Sequence, residues 1–297
     1  MTLRTISLHF PAERQTSPGG FSVHRFNDDD DARFMDPYLM VDAYTLSEAF
    51  FSPHPHAGFA PVSYIYPESE IGLINRDSAG TFNRVAPGDM HWMTSGRGIV
   101  HEEVPEMTGR DARGLQIFVN LPRAQKFMDP GYVFLGAADV PTWKGEGTII
   151  RAVLGQSNGL TSPARVPYPV RLIDIELQPG ATFEQELTAT ENAFIYIFEG
   201  DARFEDGQGI TELDTFEVVA THKGGTRLRL TGGRQTARIV LFAGEPINEP
   251  VVAYGPFVMN SMDDIRKVME DYRRGRMGRV EPTVFGADHR PLQLPTS

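Results

Sequence analysis

Two periods run along this chain. In most of it, apolar residues return at every second position in short runs. Within Arg171–Leu177, Ile173, Ile175 and Leu177 face one way while Asp174 and Glu176 face the other. Similar runs lie at 37–44, 62–66, 115–120, 149–154, 193–199, 227–230 and 238–243. They are rich in β-branched and aromatic residues, and glycine or proline separates them, which predicts antiparallel strands. The opening segment, 1–26, alternates more loosely and predicts a further strand. A 3.6-residue period is clear near the end, where Ile265, Val268, Met269 and Tyr272 form one stripe. Ser261 can cap that helix, Asp263 and Asp264 suit its positive end, Arg273 and Arg274 its negative end, and Gly275 or Gly278 stops it. The acidic run Asn27–Asp31 lacks the spacing of a calcium loop and reads as a solvated turn. The last fifteen or so residues read as a surface-lying tail.

The predicted fold class is therefore all-β with one short C-terminal helix. The stretch from Pro122 to Gly147 has no clear period and reads as a linker between two halves of similar outline. The expected divisions are 1–135, 136–260 and 261–297, the last being helix and tail. The 29 glycines and 22 prolines among 297 residues suit a turn-rich fold of this kind. A net charge of −11 argues against direct nucleic-acid binding. The absence of cysteine excludes disulfides and thiolate chemistry and suits a reducing, cytoplasmic setting. No apolar run reaches membrane-spanning length, and the N-terminus lacks the apolar core of a secretory signal. No Ser-His-Asp order, phosphate loop or dinucleotide-binding glycine motif is present.

The candidate chemistry sits in two pairs, His54-Pro55-His56 and His101-Glu102-Glu103. On a strand, residues two apart share a face, so each pair can aim two side chains at one point. Three imidazoles and a carboxylate suit Fe(II), Mn(II), Ni(II) or Zn(II) and leave positions open on a metal that takes five or six ligands. His-x-His alone is a weak signal, and His91 competes for one imidazole position. Glu102, out of period, should point away from the metal. Phe59, Phe82, Trp92 and Met93 are candidates for pocket walls or for plain core.

The text around these pairs is more specific than the pairs themselves. HPHAGFAPVSYIY, INRDSAG, APGDMHWMTSGRGIVHEEVP, GLQIFVNLP and the segment 243–278 together resemble the pirin family of the cupin superfamily. The resemblance covers nearly the whole chain. It implies two tandem cupin-type β-barrels, the first with His54, His56, His101 and Glu103 as metal ligands. It implies one divalent ion, Fe(II) foremost, with Mn, Ni, Zn, Co or Cu as alternatives. In the second barrel the glycines of the cupin motif align with Gly180 and Gly200, while Glu186, Thr188 and Ala193 stand at its ligand positions. Two functions are implied. One is a quercetinase-like dioxygenase, with a small aromatic flavonol and O₂ as substrates and Glu103 in the catalytic site. The other is an iron-dependent, redox-sensing regulator that binds a transcription factor or a metabolic enzyme. The chain departs from the family pattern at Ala57 and Ala60, where Arg and Glu are usual, and at Asn75 and His91, where His and Gln are usual.

Overall fold

The computed structural model describes residues 2–17, 19–27 and 34–292. The acidic run from Asp28 onward and the end of the tail, 293–297, lie outside them. The regular structure of the described chain is almost all antiparallel sheet, with one α-helix, Met262–Arg273, and the chain forms two compact units.

One unit gathers 14–25, 38–137 and 247–297. Its larger sheet runs, in order, Gly131–Leu135, Met90–Thr94, Phe59–Ile65, Ala112–Asn120, Tyr38–Leu46, Phe21–Asn27 and Glu13–Ser17. Its smaller sheet runs His54–His56, Ile99–Pro105, Leu73–Asp77 and Phe82–Val85. Phe59–Ile65 and Ile99–Pro105 are buried at every position, so both faces of these strands are covered. An apolar layer of Val23, Leu46, Ile65, Ile71, Leu73 and Val85 fills one end of this barrel.

The helix belongs to the same unit. Ser261 accepts a hydrogen bond from the Asp264 amide at 3.1 Å, the cap the sequence predicts. Ile265 and Val268 are fully buried and pack with Ala57, Val100, Met259 and Met277. The helix thus braces the backs of the two strands that carry the histidines. Tyr272, the last position of the stripe, is half exposed.

The other unit gathers 1–13, 26–37 and 138–246. Its sheets run Ile6–Pro11, Glu217–Thr221, Asn192–Glu199, Ala237–Gly244, Val170–Leu177, Thr148–Leu154 and Thr142–Gly145, and Thr182–Glu186, Arg227–Gly232, Ala202–Glu205 and Ile210–Leu213. Its interior is packed with Ile173, Ile175, Phe183, Ile195, Phe204, Leu228 and Ile239. Asp174, on the opposite face of its strand, is completely buried beside Arg151 and Arg238. Glu186 lies opposite Arg227, Thr188 donates to Glu245, and Ala193 is buried.

The units differ from contiguous ranges at both ends of the chain, because Ile6–Pro11 pairs with Glu217–Thr221 and the C-terminal helix packs on Ala57 and Val100. The expected linker also contains two strands. Gly131–Leu135 extends the sheet beside Met90–Thr94, and Thr142–Gly145 pairs with Thr148–Leu154. Both are sheet edges, mostly exposed, so nothing enforces alternation in their sequence.

Candidate metal centre

His54–His56 runs antiparallel to Ile99–Pro105, and His54 lies directly opposite His101. That register brings the two sequence pairs together on one face. Two glycines shape the approach. Gly58 has φ +87, and a side chain there would sit 2.0 Å from the Val258 carbonyl. Gly98 has φ +132 and lies against Met277, just before the second strand. The buried Lys126 ammonium ties the first turn down by donating to Gly58 O at 2.8 Å, Asn120 Oδ1 at 2.7 Å and Val258 O at 3.0 Å.

One ring nitrogen from each of His54, His56 and His101 lies within 4.8 Å of the others. His54 Nδ1 donates to Ser52 O at 2.9 Å, and His56 Nδ1 makes a longer contact, 3.4 Å, to Pro256 O. These backbone partners fix two rings with Nε2 turned inward, and His54 Nε2 is 3.2 Å from His101 Nε2. Burial pushes the His101 ring well below its usual pKa and His56 to about 3, and lowers His54 as well; the neighbouring rings add to the effect on His56 and His101. All three are neutral bases at physiological pH, the form that ligates a metal. The donor set therefore fits a divalent ion.

Glu103 follows His101 by two residues and lines the same cavity. Ser63 Oγ lies 2.8 Å from both of its carboxylate oxygens and 3.3 Å from Gln116 Oε1. Burial raises the Glu103 carboxyl to about 7, and the Ser63 hydrogen bond pulls it the other way. Glu102 points elsewhere, as its period requires. It is buried opposite Arg76, whose Nη2 lies 2.5 Å away, and it accepts from the Thr283 amide and hydroxyl. His91 is buried, pushed down to about 4 by that burial, and bonded to Asn83 at 3.2 Å; it is not one of the three clustered rings.

The cavity in front of the rings has a volume of about 380 Å³. Phe21, Met40, Tyr44, Phe51, Leu73 and Phe118 give it apolar walls, and Arg25, Asp42 and Gln116 add polar groups. Arg25 grips Asp42 in a two-pronged pair at 2.7 and 2.5 Å. Phe59, Phe82, Trp92 and Met93 do not line it. Phe59 instead lies behind, 5.1 Å from the His56 ring and 4.5 Å from Phe118, and Trp92 donates to Thr94. Sequence reasoning did not single out Ser63, Asp42 or Tyr44. A signal existed for the first two: Ser63 is the lone polar residue of an apolar strand, and Asp42 the lone charge of another.

Comparison with known proteins gives the same reading of the whole chain. The family profile described as Pirin matches residues 14–119, and that of the pirin C-terminal cupin domain matches 172–278. Pirin-like protein 2 of Arabidopsis thaliana is 35% identical over 276 residues, covering 90% of this chain and 83% of its own. The crystal structure of quercetin 2,3-dioxygenase from Acinetobacter baumannii superposes with a TM-score of 0.82 at 24% identity, over 93% of this chain and 99% of that one. The bacterial pirin YhhW from Escherichia coli, solved in complex with nickel(II), superposes with a TM-score of 0.61 at 16% identity, over 80% and 100%. With both of its cupin domains matched and a 35% identical relative covered over 83% of its length, this chain belongs to the pirin family of two-barrel cupins.

Proposed function

We propose that His54, His56, His101 and Glu103 hold one divalent ion, Fe(II) foremost, and that the protein opens a flavonol-like aromatic with O₂. The observation that carries this reading is the cavity of about 380 Å³ that is apolar along its walls and ends on three neutral imidazoles and a carboxylate. That size and lining suit a planar aromatic of drug-like dimensions. A relative solved with nickel(II) and a fold neighbour named as a quercetin dioxygenase support the metal and the substrate class. A bound ion supplies Lewis acidity and a common template for the enol and O₂.

The rest falls to the chain. Phe21, Phe51 and Phe118 sandwich the rings of the substrate and exclude water. Glu103, which lines the cavity beside the rings, accepts the enol proton as the substrate docks, and the Ser63 hydroxyl holds its carboxylate. Arg25 and Asp42 offer a donor and an acceptor to hydroxyl groups farther out.

The second reading is an iron-dependent binding protein. It is favoured by Phe50 and Phe51, which are about 40% exposed (39% and 42%), Phe51 lying on the cavity wall, where a protein partner can cover them. One assay separates the two. Protein reconstituted with each of Fe, Mn, Ni, Co and Cu is mixed with quercetin under air, and the flavonol absorbance band is followed beside a Glu103→Ala control. Loss of the band that depends on Glu103 supports the enzyme. No turnover with any of the five metals overturns it in favour of the binding protein.

A further inference from the structure

Beside the three rings, the barrel carries a polar layer of which the proposed reaction uses only Glu103 and Ser63. Its members come from five strands and face one another across the interior. Glu103 lies opposite Asn75, Asn75 opposite Asn83, and Ser63 opposite His91. Residues directly opposite in an antiparallel pair share a face, so Asn75 and Asn83 point the same way as Glu103 and, two residues before it, His101, while Ser63 and His91 share a face of the other sheet. Hydrogen bonds join most of the layer. Asn75 Nδ2 donates to Asn83 Oδ1 at 3.1 Å, Asn83 Nδ2 to His91 Nδ1 at 3.2 Å, and Ser63 Oγ to Glu103 at 2.8 Å.

Among the described residues, three atoms of this layer and its neighbour have no protein partner: Asn75 Oδ1, His91 Nε2 and His101 Nδ1. All three residues are at least 97% buried, at 0%, 1% and 3% exposure. An unpaired polar atom at such depth is destabilising, so each of the three calls for a partner. Their chemistry is complementary. Because Asn83 donates to His91 Nδ1, the His91 proton sits on Nε2, which is a donor. Asn75 Oδ1 is an acceptor. His101 Nδ1 is an acceptor while Nε2 carries the proton, and a donor once Nε2 ligates a metal.

We infer that Asn75, His91 and His101 bind one buried water, and that through it His91 acts as a positioning residue for the His101 ring. The water accepts from His91 Nε2–H and donates to Asn75 Oδ1 in every state. Its remaining valence serves His101 Nδ1 either way, by donating to it when bare and accepting from it when protonated. Three partners are the usual complement of an internal water. The inference also completes a pattern. His54 and His56 are each held by a backbone carbonyl on Nδ1, and the water gives His101 the equivalent support. The consequence for the metal rests on His101 being a ligand, as proposed above; the water itself does not.

The test has a structural and a binding arm. A crystal structure of the metal-free wild type, at a resolution that shows ordered solvent, should place one water at hydrogen-bond distance from Asn75 Oδ1, His91 Nε2 and His101 Nδ1. Zinc or nickel titrations should show affinity roughly 10–100-fold weaker in His91→Leu, with most of it restored in His91→Gln, whose amide offers a donor again. Imidazole ¹⁵N spectra of the wild type should show His91 protonated on Nε2. A dry site in the crystal overturns the inference, as does a His91→Leu variant that folds and binds metal like the wild type. If His91→Leu does not fold, the wild-type crystal and spectra decide alone. A wild type that shows the water yet binds no metal defeats the metal reading and leaves the water standing; a wild type that binds metal through His101 without the water defeats only this inference.

Discussion

Replacing Glu103 by glutamine keeps the shape of the side chain and the Ser63 hydrogen bond while removing the charge. The carboxyl is raised from 4.5 to about 7, chiefly by burial. A folded-state pKa above the unfolded one means that the folded protein holds this proton more tightly. The associated stability is fully present below about pH 4.5 and is lost as pH rises through about 7. The shift corresponds to about 3 kcal/mol, which the metal-free protein forfeits at pH 8. Glu103→Gln removes that penalty. In chelator at pH 8 the variant should therefore be more stable than the wild type by up to about 3 kcal/mol, and at pH 4.5 the two should be nearly equal. With metal the order should reverse, because glutamine is a poor ligand, and each tenfold loss of affinity removes about 1.4 kcal/mol of ligand-linked stability. Urea unfolding at both pH values, with chelator and with nickel, measures all four differences. Of the two tryptophans, Trp92 is buried in the same unit as the site and Trp143 is exposed. A Trp143→Phe background makes fluorescence report on the relevant unit. A glutamine variant that is less stable than the wild type at pH 8 in chelator, or that gains as much at pH 4.5, refutes the assignment of a desolvated carboxylate.

Three further outcomes are expected. His101→Ala should lose stoichiometric metal, measured by elemental analysis of protein purified without chelator, since the ring opposite His54 is then gone; full occupancy would remove His101 from the ligand set. Glu102→Ala should keep its metal yet lose about 3–5 kcal/mol of stability, because it leaves the Arg76 guanidinium in a largely buried setting with only the Glu281 carbonyl and no countercharge from Glu102; metal loss with unchanged stability would exchange the roles assigned to Glu102 and Glu103. Gly58→Ala should destabilise by at least about 1–3 kcal/mol from its left-handed backbone alone, with a further loss from the close Val258 carbonyl, read as a lowered thermal midpoint; an unchanged midpoint would show that the turn relaxes freely.

Much of the centre was legible before folding. A two-residue period decides which side chains share a face of a strand, so His54 with His56 and His101 with Glu103 followed from spacing, and Glu102 was turned away for the same reason. The helix from Met262 to Arg273 was equally plain, because its cap, its stripe and its stop are all local. A period says nothing of what lies across the barrel. Ser63 meets Glu103 from forty residues away, the cavity wall draws Phe21, Asp42 and Phe118 from three separate strands, and His91 meets Asn83 where two sheets converge. The pocket aromatics suggested by sequence were displaced for that reason: Trp92 and Phe82 neighbour the site in the chain, but their strands aim them away from the cavity. The edge strands Gly131–Leu135 and Thr142–Gly145 escaped detection because exposed residues carry no alternation. Local periodicity fixes direction within an element, and only the register between distant strands, set by burial on both faces, decides which directions meet.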